Sequence, residues 1–320
     1  MKIIKILSVC LIISLILVSC GNKDKNNNMK DDLSSTVSDV QSKVESGISD
    51  VESGIESMMP DESSLVSEEA PDKGVSSEAI KEVQITPANI ELSSLDNTKQ
   101  GWGQGVQVDD KNRPVSSVKY QEKYGKYDAY FIGSGEKCIY LTFDEGYENG
   151  YTATILDTLK EKGVKAVFFV TMDYAKKQPE LIKRMIAEGH IVGNHSDKHV
   201  SYPTVDIARC EAETMNLHNY ISENFGYEMT LFRPPMGEFS ERVLAQMQSL
   251  GYKTLLWSFA YKDWEVDNQP DEAASLQKLN GALHDGALYL LHAVGSTNNN
   301  ILGDFIDYAH SQGYQFKLMQ

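Results

Sequence analysis

Residues 139–146 form the run Ile139-Tyr-Leu-Thr-Phe-Asp-Glu-Gly146, in which β-branched and aromatic residues lead to two adjacent carboxylates. Such residues favour a buried strand, whereas charged residues at its end add nothing to a core. Apolar runs of strand length then alternate with helical patterns to the end of the chain, which predicts parallel pairing with right-handed crossovers. With about seven such units, the predicted fold is α/β, a distorted (β/α)7 barrel rather than an open doubly wound sheet.

The elements of this pattern can be placed along the chain from residue periodicity. Strands are predicted at 139–143, 166–171, 191–194, 253–257 and 287–292. Helices are predicted at 152–162, 179–188, 205–223, 240–249, 276–283 and 300–311.

Composition limits both the number of domains and the kind of partner. The chain has 320 residues, 41% hydrophobic and 24% charged, which is enough for one sizeable core. Its formal net charge is −16, and residues 21–84, with 15 acidic against 6 basic residues, contribute −9 of it. The sequence has no cluster of Lys and Arg residues of the kind that binds phosphate backbones, so no nucleic acid partner is expected.

The N-terminus indicates where the protein works. Lys2 and Lys5 precede an almost uninterrupted apolar run, Ile6 to Val18, and small residues then lead to Cys20. This pattern predicts a lipoprotein signal peptide at residues 1–19, with Cys20 acylated after cleavage. The alternative is an uncleaved transmembrane helix, for which the run is slightly short. We therefore expect an exported protein that is lipid-anchored to the outer face of the cell membrane.

The rest of the chain divides by composition. Residues 20–94 are polar, acidic and without aromatic residues, which predicts a disordered tether. Aromatic residues begin at Trp102, so residues 95–136 are predicted to be an N-terminal extension that packs on a catalytic domain at 137–320. Cys138 and Cys210 lie in apolar patterns, so two buried free thiols are expected.

Polar residues follow several of the predicted strands, and catalytic groups of parallel barrels lie at those carboxyl ends. His195 and His199 are four residues apart after the third strand, a spacing that many zinc sites use. A carboxylate from a neighbouring strand end would complete a three-ligand catalytic site. The alternative is that the two histidines only cap or line a loop.

Five ordered motifs resemble those of the polysaccharide deacetylases, also called the NodB-homology family or carbohydrate esterase family four. The motifs are Thr142-Phe-Asp-Glu-Gly146, His195-Ser-Asp-Lys-His199, Arg233-Pro-Pro-Met-Gly237, Asp263-Trp264 and Leu290-Leu-His292. The resemblance covers residues 137–318 and implies that the predicted barrel is of the NodB-homology type.

The resemblance implies acid–base roles for four residues. Asp144 would be the general base, held in place by Arg233. His292 would be the general acid that protonates the leaving amine. Asp263 would orient the His292 ring and keep it positively charged.

The resemblance also implies a metal ion and a substrate pocket. His195, His199 and Glu145 would bind a divalent cation, Zn²⁺ first and Co²⁺ or Mn²⁺ as alternatives. The remaining implied site residues are Met236, whose backbone N–H would stabilise the oxyanion, and Trp264, Leu290 and Pro235 around the acetyl group. Three positions depart from the usual family pattern, namely Glu145 for Asp, Met236 for Tyr and Ala260 for a further Asp.

The sequence around the motifs resembles the sporulation branch of the family, through segments 146–152, 189–195 and 259–264. That resemblance implies deacetylation of N-acetylmuramic acid in peptidoglycan glycan strands, toward muramic δ-lactam in the spore cortex, by a monomer that could also reside in the forespore envelope. Deacetylation of N-acetylglucosamine, chito-oligomers or O-acetylated sugars remains an alternative. A second alternative is a non-catalytic glycan-binding lipoprotein.

Overall fold

The structure, a computed structural model, describes residues 92–319. The predicted signal peptide, Cys20 and the predicted tether up to residue 91 therefore lie outside the described residues. Within residues 92–319 no helix is both long enough and apolar enough to span a bilayer. Cys138 and Cys210 are buried and unpaired, as predicted.

Most strands from β3 onwards are followed by a helix, as the sequence predicts, whereas β2 leads directly to β3 and β6 leads to β7 through a short 3-10 turn. The strands are β1 (Gln100–Gly101), β2 (Ala129–Tyr130), β3 (Cys138–Glu145), β4 (Val167–Val170), β5 (Ile191–Asn194), β6 (Leu231–Phe232), β7 (Glu238–Phe239), β8 (Lys253–Leu255), β9 (Ala287–His292) and β10 (Gln315–Phe316). The helices are α1 (Val115–Tyr124), α2 (Thr152–Glu161), α3 (Met172–Lys177), α4 (Pro179–Ala187), α5 (Ile207–Phe225), α6 (Glu241–Ser249), α7 (Glu272–Gly281) and α8 (Ser296–Ser311).

Caps explain where the helices begin and end. The Asp206 carboxylate accepts the backbone N–H of Arg209 at 2.7 Å, so α5 starts two residues later than predicted. It ends at Gly226, whose φ of 61° suits glycine. Ser240 caps α6 in the same way, through the N–H of Val243 at 3.2 Å.

One parallel sheet runs in the order β10-β3-β4-β5-β6-β8-β2, and β9 pairs with β3 on its other side. Beyond β8, Phe259 forms a parallel bridge with Tyr289 of β9, so the sheet curls round towards its first strands. This architecture confirms the predicted α/β fold with a distorted barrel.

The two faces of β3 contribute to different apolar clusters, because successive side chains on a strand point to opposite sides. Ile139, Leu141 and Phe143 belong to the large cluster between sheet and helices. Cys138 and Tyr140 belong to a cluster formed almost wholly by strand residues, inside the barrel. Even-numbered residues of β3 therefore face the barrel interior and odd-numbered residues face the helices.

The predicted N-terminal extension packs on the barrel. β1 pairs antiparallel with β7, and the backbone N–H of Trp102 donates to the carbonyl of Gly237 at 3.0 Å. The Trp102 ring packs against Phe131 with 4.6 Å between ring centroids and against Tyr120 with 5.0 Å. These contacts bring the residues after β1 beside the loop that follows β6.

Gly193 of β5 owes its identity to an aromatic neighbour. It lies in register with Phe169 of β4, and a Cβ built on it would be 2.5 Å from Phe169 Cδ1. The Phe169 ring occupies this space and lies 4.2 Å from the guanidinium carbon of Arg233. A side chain at position 193 would therefore displace the Phe169 ring, which packs against the buried guanidinium group of Arg233.

Candidate active site

A cavity of about 590 Å³ opens at the carboxyl edge of the sheet. It brings together most of the site residues that the sequence predicts: Asp144, His195, His199, Met236, Trp264, Leu290 and His292. β3 delivers Asp144, β9 delivers His292, and His195 directly follows β5. Parallel strands have thus placed side chains that are distant in sequence around one cavity.

Asp144 is held by the buried Arg233. One guanidinium nitrogen of Arg233 donates to Asp144 Oδ1 at 2.7 Å and to Thr142 Oγ1 at 2.9 Å. The others donate to the carbonyls of Leu255 at 3.0 Å and Leu256 at 3.1 Å. Burial is the largest single influence and alone would raise the pKa of Asp144, but the Arg233 charge and hydrogen bond, together with His195 and His292, outweigh it and lower the pKa. Asp144 is therefore an ionised carboxylate whose Oδ2 is not used by Arg233.

His292 is held by Asp263. Its ring Nδ1–H donates to Asp263 Oδ1 at 2.7 Å, and its backbone N–H donates to Asp263 Oδ2 at 2.8 Å. Burial alone would lower the pKa of His292, but the hydrogen bond and charge of Asp263 outweigh it, and Asp144 adds to them, so the pKa is raised. The bond at Nδ1 leaves Nε2 as the ring nitrogen available for proton transfer.

Asn298 of α8 supports this pair and was not predicted from the sequence. Its side-chain amide donates to Asp263 Oδ2 at 2.6 Å and to the carbonyl of His292 at 3.0 Å. Its own oxygen accepts the hydroxyl of Tyr261. The orientation of the predicted acid thus depends on a residue that lies in no motif.

His195 and His199 form an imidazole pair, with 4.9 Å between their ring centroids. His195 Nδ1–H donates to the carbonyl of Arg233 at 2.9 Å, so its Nε2 carries the lone pair, 3.7 Å from Asp144 Oδ2. Burial lowers the pKa of His195 to about 4 and also lowers that of His199. Both rings are therefore neutral, the form in which histidine binds metals.

The backbone around the cavity is strained. Ser196, His199 and Met236 have φ values of 74°, 53° and 59°, in the left-handed region that residues with a side chain rarely adopt. Such residues occur preferentially at ligand-binding and active sites, where surrounding contacts hold them. The strain supports a functional role for the histidine loop and for the loop that follows β6.

Glu145 does not accompany the two histidines, in contrast to the sequence-based prediction. It continues the odd-numbered side of β3, and it is absent from the cavity lining. Both carboxylate oxygens are fully buried without a hydrogen-bond partner, in a polar neighbourhood that includes Thr152 and Glu148. Within residues 92–319 no group of three or more His, Cys, Asp or Glu side chains is placed to hold a metal ion. Glu145 is separated from Asp144 and the two histidines because adjacent residues of a strand point to opposite faces of the sheet.

Glu145 is consequently expected to behave as a buried neutral acid. Burial, followed by the charges of Glu148 and Asp144, raises its pKa well above the ordinary value of 4.5. A folded-state pKa above the unfolded one means that the folded state binds the extra proton, so stability is lost as pH rises above 4.5.

We therefore predict that Glu145→Gln stabilises the fold at neutral pH and flattens this pH dependence. Urea unfolding of both proteins at several pH values checks it. If Glu145→Gln instead loses bound metal and the pH dependence of its free energy of unfolding is unchanged, Glu145 is a metal ligand.

Two further predicted residues take different positions. Pro235, the first residue of the short 3-10 turn Pro235–Gly237, is buried and absent from the cavity lining. Met236 lies at the rim with 54% of its surface exposed. The role of its backbone N–H as an oxyanion donor stays a prediction.

Comparisons with known proteins agree with this architecture. A family model described as polysaccharide deacetylase matches residues 132–255. The peptidoglycan-N-acetylmuramic acid deacetylase PdaA of Bacillus subtilis is 40% identical over 247 residues, which are 77% of this chain and 94% of that protein. Peptidoglycan-N-acetylglucosamine deacetylase PgdA of Listeria monocytogenes is 32% identical over 180 residues, 56% of this chain and 37% of that protein.

Solved structures show the same similarity. The structure of B. subtilis PdaA, a family 4 carbohydrate esterase, matches 70% of this chain and 96% of that one with a TM-score of 0.67. A family 4 carbohydrate esterase from Bacillus anthracis is 37% identical and matches the same shares with a TM-score of 0.59. The chain belongs to the polysaccharide deacetylase family, which confirms the resemblance of its five motifs.

Proposed function

We propose that this protein is a metal-dependent N-deacetylase of peptidoglycan, which removes the acetyl group of N-acetylmuramic acid on the way to muramic δ-lactam in spore cortex. The observation that carries the proposal is the Asp144 and His292 pair: both line one cavity, Asp144 held by Arg233 through Oδ1 alone and His292 held by Asp263 through Nδ1, so that Oδ2 and Nε2 are left for proton transfer. The similarity to PdaA over 94% of its length supports the choice of sugar.

The geometry supports hydrolysis of an amide by a separate base and acid. Asp144 Oδ2 would take a proton from the attacking water while the water oxygen bonds to the carbonyl carbon. His292 Nε2 would give a proton to the amide nitrogen as the carbon–nitrogen bond breaks, releasing acetate and a free amine. Trp264 and Leu290, at the cavity wall, would contact the acetyl methyl group.

A divalent metal ion fits part of this site. His195 and His199 offer two neutral imidazoles beside an anionic carboxylate, which suits Zn²⁺, Co²⁺ or Mn²⁺. A bound ion would supply Lewis-acid polarisation of the amide carbonyl. Glu145 does not supply the third ligand as the structure places it, so the two imidazoles are the proposed protein ligands.

If this assignment holds, a chelator is expected to abolish turnover, and added zinc or cobalt to restore it. His199→Ala should lower the metal content of the purified protein, measured by elemental mass spectrometry. His310→Ala is the matched control, because His310 packs against Phe316 outside the cavity. Full activity of metal-free wild-type protein would contradict metal dependence.

The substrate is tested by mass spectrometry of glycan fragments incubated with the purified protein. Loss of acetyl groups from muramic acid residues, absent with Asp144→Asn, is the expected result. Acetyl loss confined to N-acetylglucosamine would favour the activity that the similarity to PgdA supports. Acetate released only from O-acetylated sugars would identify an esterase, and glycan binding without acetate release would identify a binding lipoprotein.

We also propose that the protein is exported and anchored through a lipid on Cys20, as a monomer acting on glycan strands near the membrane. Support comes from the sequence alone: the basic start, the apolar run from Ile6 to Val18 and the small residues before Cys20. Cys20→Ala is expected to move the protein from the membrane fraction to the soluble or unprocessed pool. Cys10→Ala, inside the apolar run, is the matched control and should not. An unchanged membrane fraction for Cys20→Ala would contradict the anchor.

A further inference from the structure

The N-terminal extension supplies part of the cavity wall. Trp102, Gly103 and Gln104 line the same cavity as Asp144 and His292. All three precede the residues that the family model matches, which begin at 132. The cavity is therefore completed by a segment outside the matched region.

Gln104 joins two parts of the cavity through its carboxamide. Its oxygen accepts the indole N–H of Trp257 at 3.0 Å, and its nitrogen donates to the carbonyl of Ala260 at 2.9 Å. Its backbone carbonyl accepts the hydroxyl of Ser116, which fixes the segment itself. A carboxamide is suited to this bridge because it offers an acceptor and a donor on one rigid group.

Trp257 is the residue that these contacts immobilise. The Trp102 indole N–H donates to the Trp257 carbonyl at 2.9 Å. The far edge of the Trp257 ring lies against Gly237, where an added Cβ would come within 2.6 Å of it. Trp257 is only 9% exposed and shares an apolar cluster with Leu290, one of the residues predicted to contact the acetyl group.

We propose that Gln104 is a positioning residue that fixes the Trp257 ring, and that Trp257 held in this way limits the length of the acyl group that the cavity accepts. The inference rests on the proposed deacylation of a glycan. Its physical basis is that one added methylene can be excluded only by a wall that does not move. An indole that lost its acceptor would keep its bulk but would no longer be fixed in one orientation.

The test compares acyl groups on one sugar chain. Glycan strands are fully de-N-acetylated and then re-acylated with acetyl, propionyl or butyryl groups, and amine release is measured for each. In Trp257→Leu the rate on propionyl relative to acetyl strands is expected to rise about 10-fold or more, within the range that one methylene controls in a pocket. Gln104→Leu, which keeps the volume but removes both hydrogen bonds, is expected to raise the ratio in the same direction by less.

A control and an activity-independent measurement complete the test. Val106→Ala, at a position 97% exposed on the same segment, should leave the ratio unchanged. Hydrogen exchange of the indole N–H groups by NMR should show Trp257 protected in wild type, exposed in Gln104→Leu and protected again in Gln104→Glu, whose oxygen still accepts.

Two results would overturn the proposal: an unchanged acyl ratio in both Trp257→Leu and Gln104→Leu, or an unchanged Trp257 exchange rate in Gln104→Leu. Absence of amine release by wild type from every strand would instead count against the proposed function. In that case the exchange rates still decide whether Gln104 fixes Trp257.

Discussion

Asp144→Asn and His292→Ala are each expected to lower kcat by about 10²-fold or more, the range for loss of a general base or acid. Asparagine keeps the size of Asp144 and can still contact Arg233, but it cannot take a proton from water. His292→Ala removes the group that would protonate the leaving amine. Steady-state kinetics of amine release from glycan strands measure both effects, and near-wild-type turnover in either variant would remove that residue from the mechanism.

The pH profile separates the two roles. A general acid must be protonated, so kcat/KM is expected to fall as pH rises through the pKa of His292, which lies above its ordinary 6.5. Asp263→Asn removes the negative charge that raises this pKa, so the alkaline limb should move to lower pH. Asp267→Asn, in the exposed loop that follows, is the control and should leave the limb in place. An alkaline limb at the same pH in Asp263→Asn would show that His292 is not the group being titrated.

Arg233→Met is expected to lower the free energy of unfolding by about 3–5 kcal/mol, the cost of breaking a buried ion pair from one side. Arg233 has no exposed surface, and its loss leaves Asp144 charged in a buried position without its counter-ion. The carbonyls of Leu255 and Leu256 would lose a donor at the same time. Denaturant unfolding measures the change.

The double variant Arg233→Met with Asp144→Asn tests the cause of this loss. Since the uncompensated charge is then absent, the double variant should be more stable than Arg233→Met alone. Lys177→Met is a surface control, because Lys177 and its partner Asp173 are mostly exposed, and it should leave the unfolding midpoint nearly unchanged. A double variant no more stable than the single one would assign the effect to lost packing instead of charge.

The parts of the fold that could be predicted are those with a strong local pattern. The strands at 191–194 and 287–292 coincide with β5 and β9, because continuous apolar runs and the polar residues after them mark buried parallel strands. The residues at strand ends could be predicted for the same reason. Their convergence follows from the rule that carboxyl ends of parallel strands share one edge.

The residues that escaped prediction act through tertiary contacts alone. Asn298 and Gln104 carry ordinary amides with nothing in their local sequence to mark them. Their significance comes from hydrogen bonds to Asp263, 35 positions from Asn298, and to Trp257, 153 positions from Gln104. β6, only two residues long, was missed because it is too short to show a period. Glu145 follows Asp144 directly on β3 and so lies on the opposite face, which motif similarity does not show; its role as a metal ligand stays a prediction.

The packing at Gly193 has a consequence for interpreting natural variation in this chain. The residue has no functional group and is absent from the cavity lining, yet even a methyl group there would press on Phe169, and through it on Arg233 and Asp144. Intolerance to substitution at this position would therefore reflect volume transmitted through two rigid neighbours, and not participation in the reaction. Positions that tolerate no substitution would consequently include the packed residues that hold Asp144 in place, such as Gly193 and Phe169, as well as the groups that transfer protons.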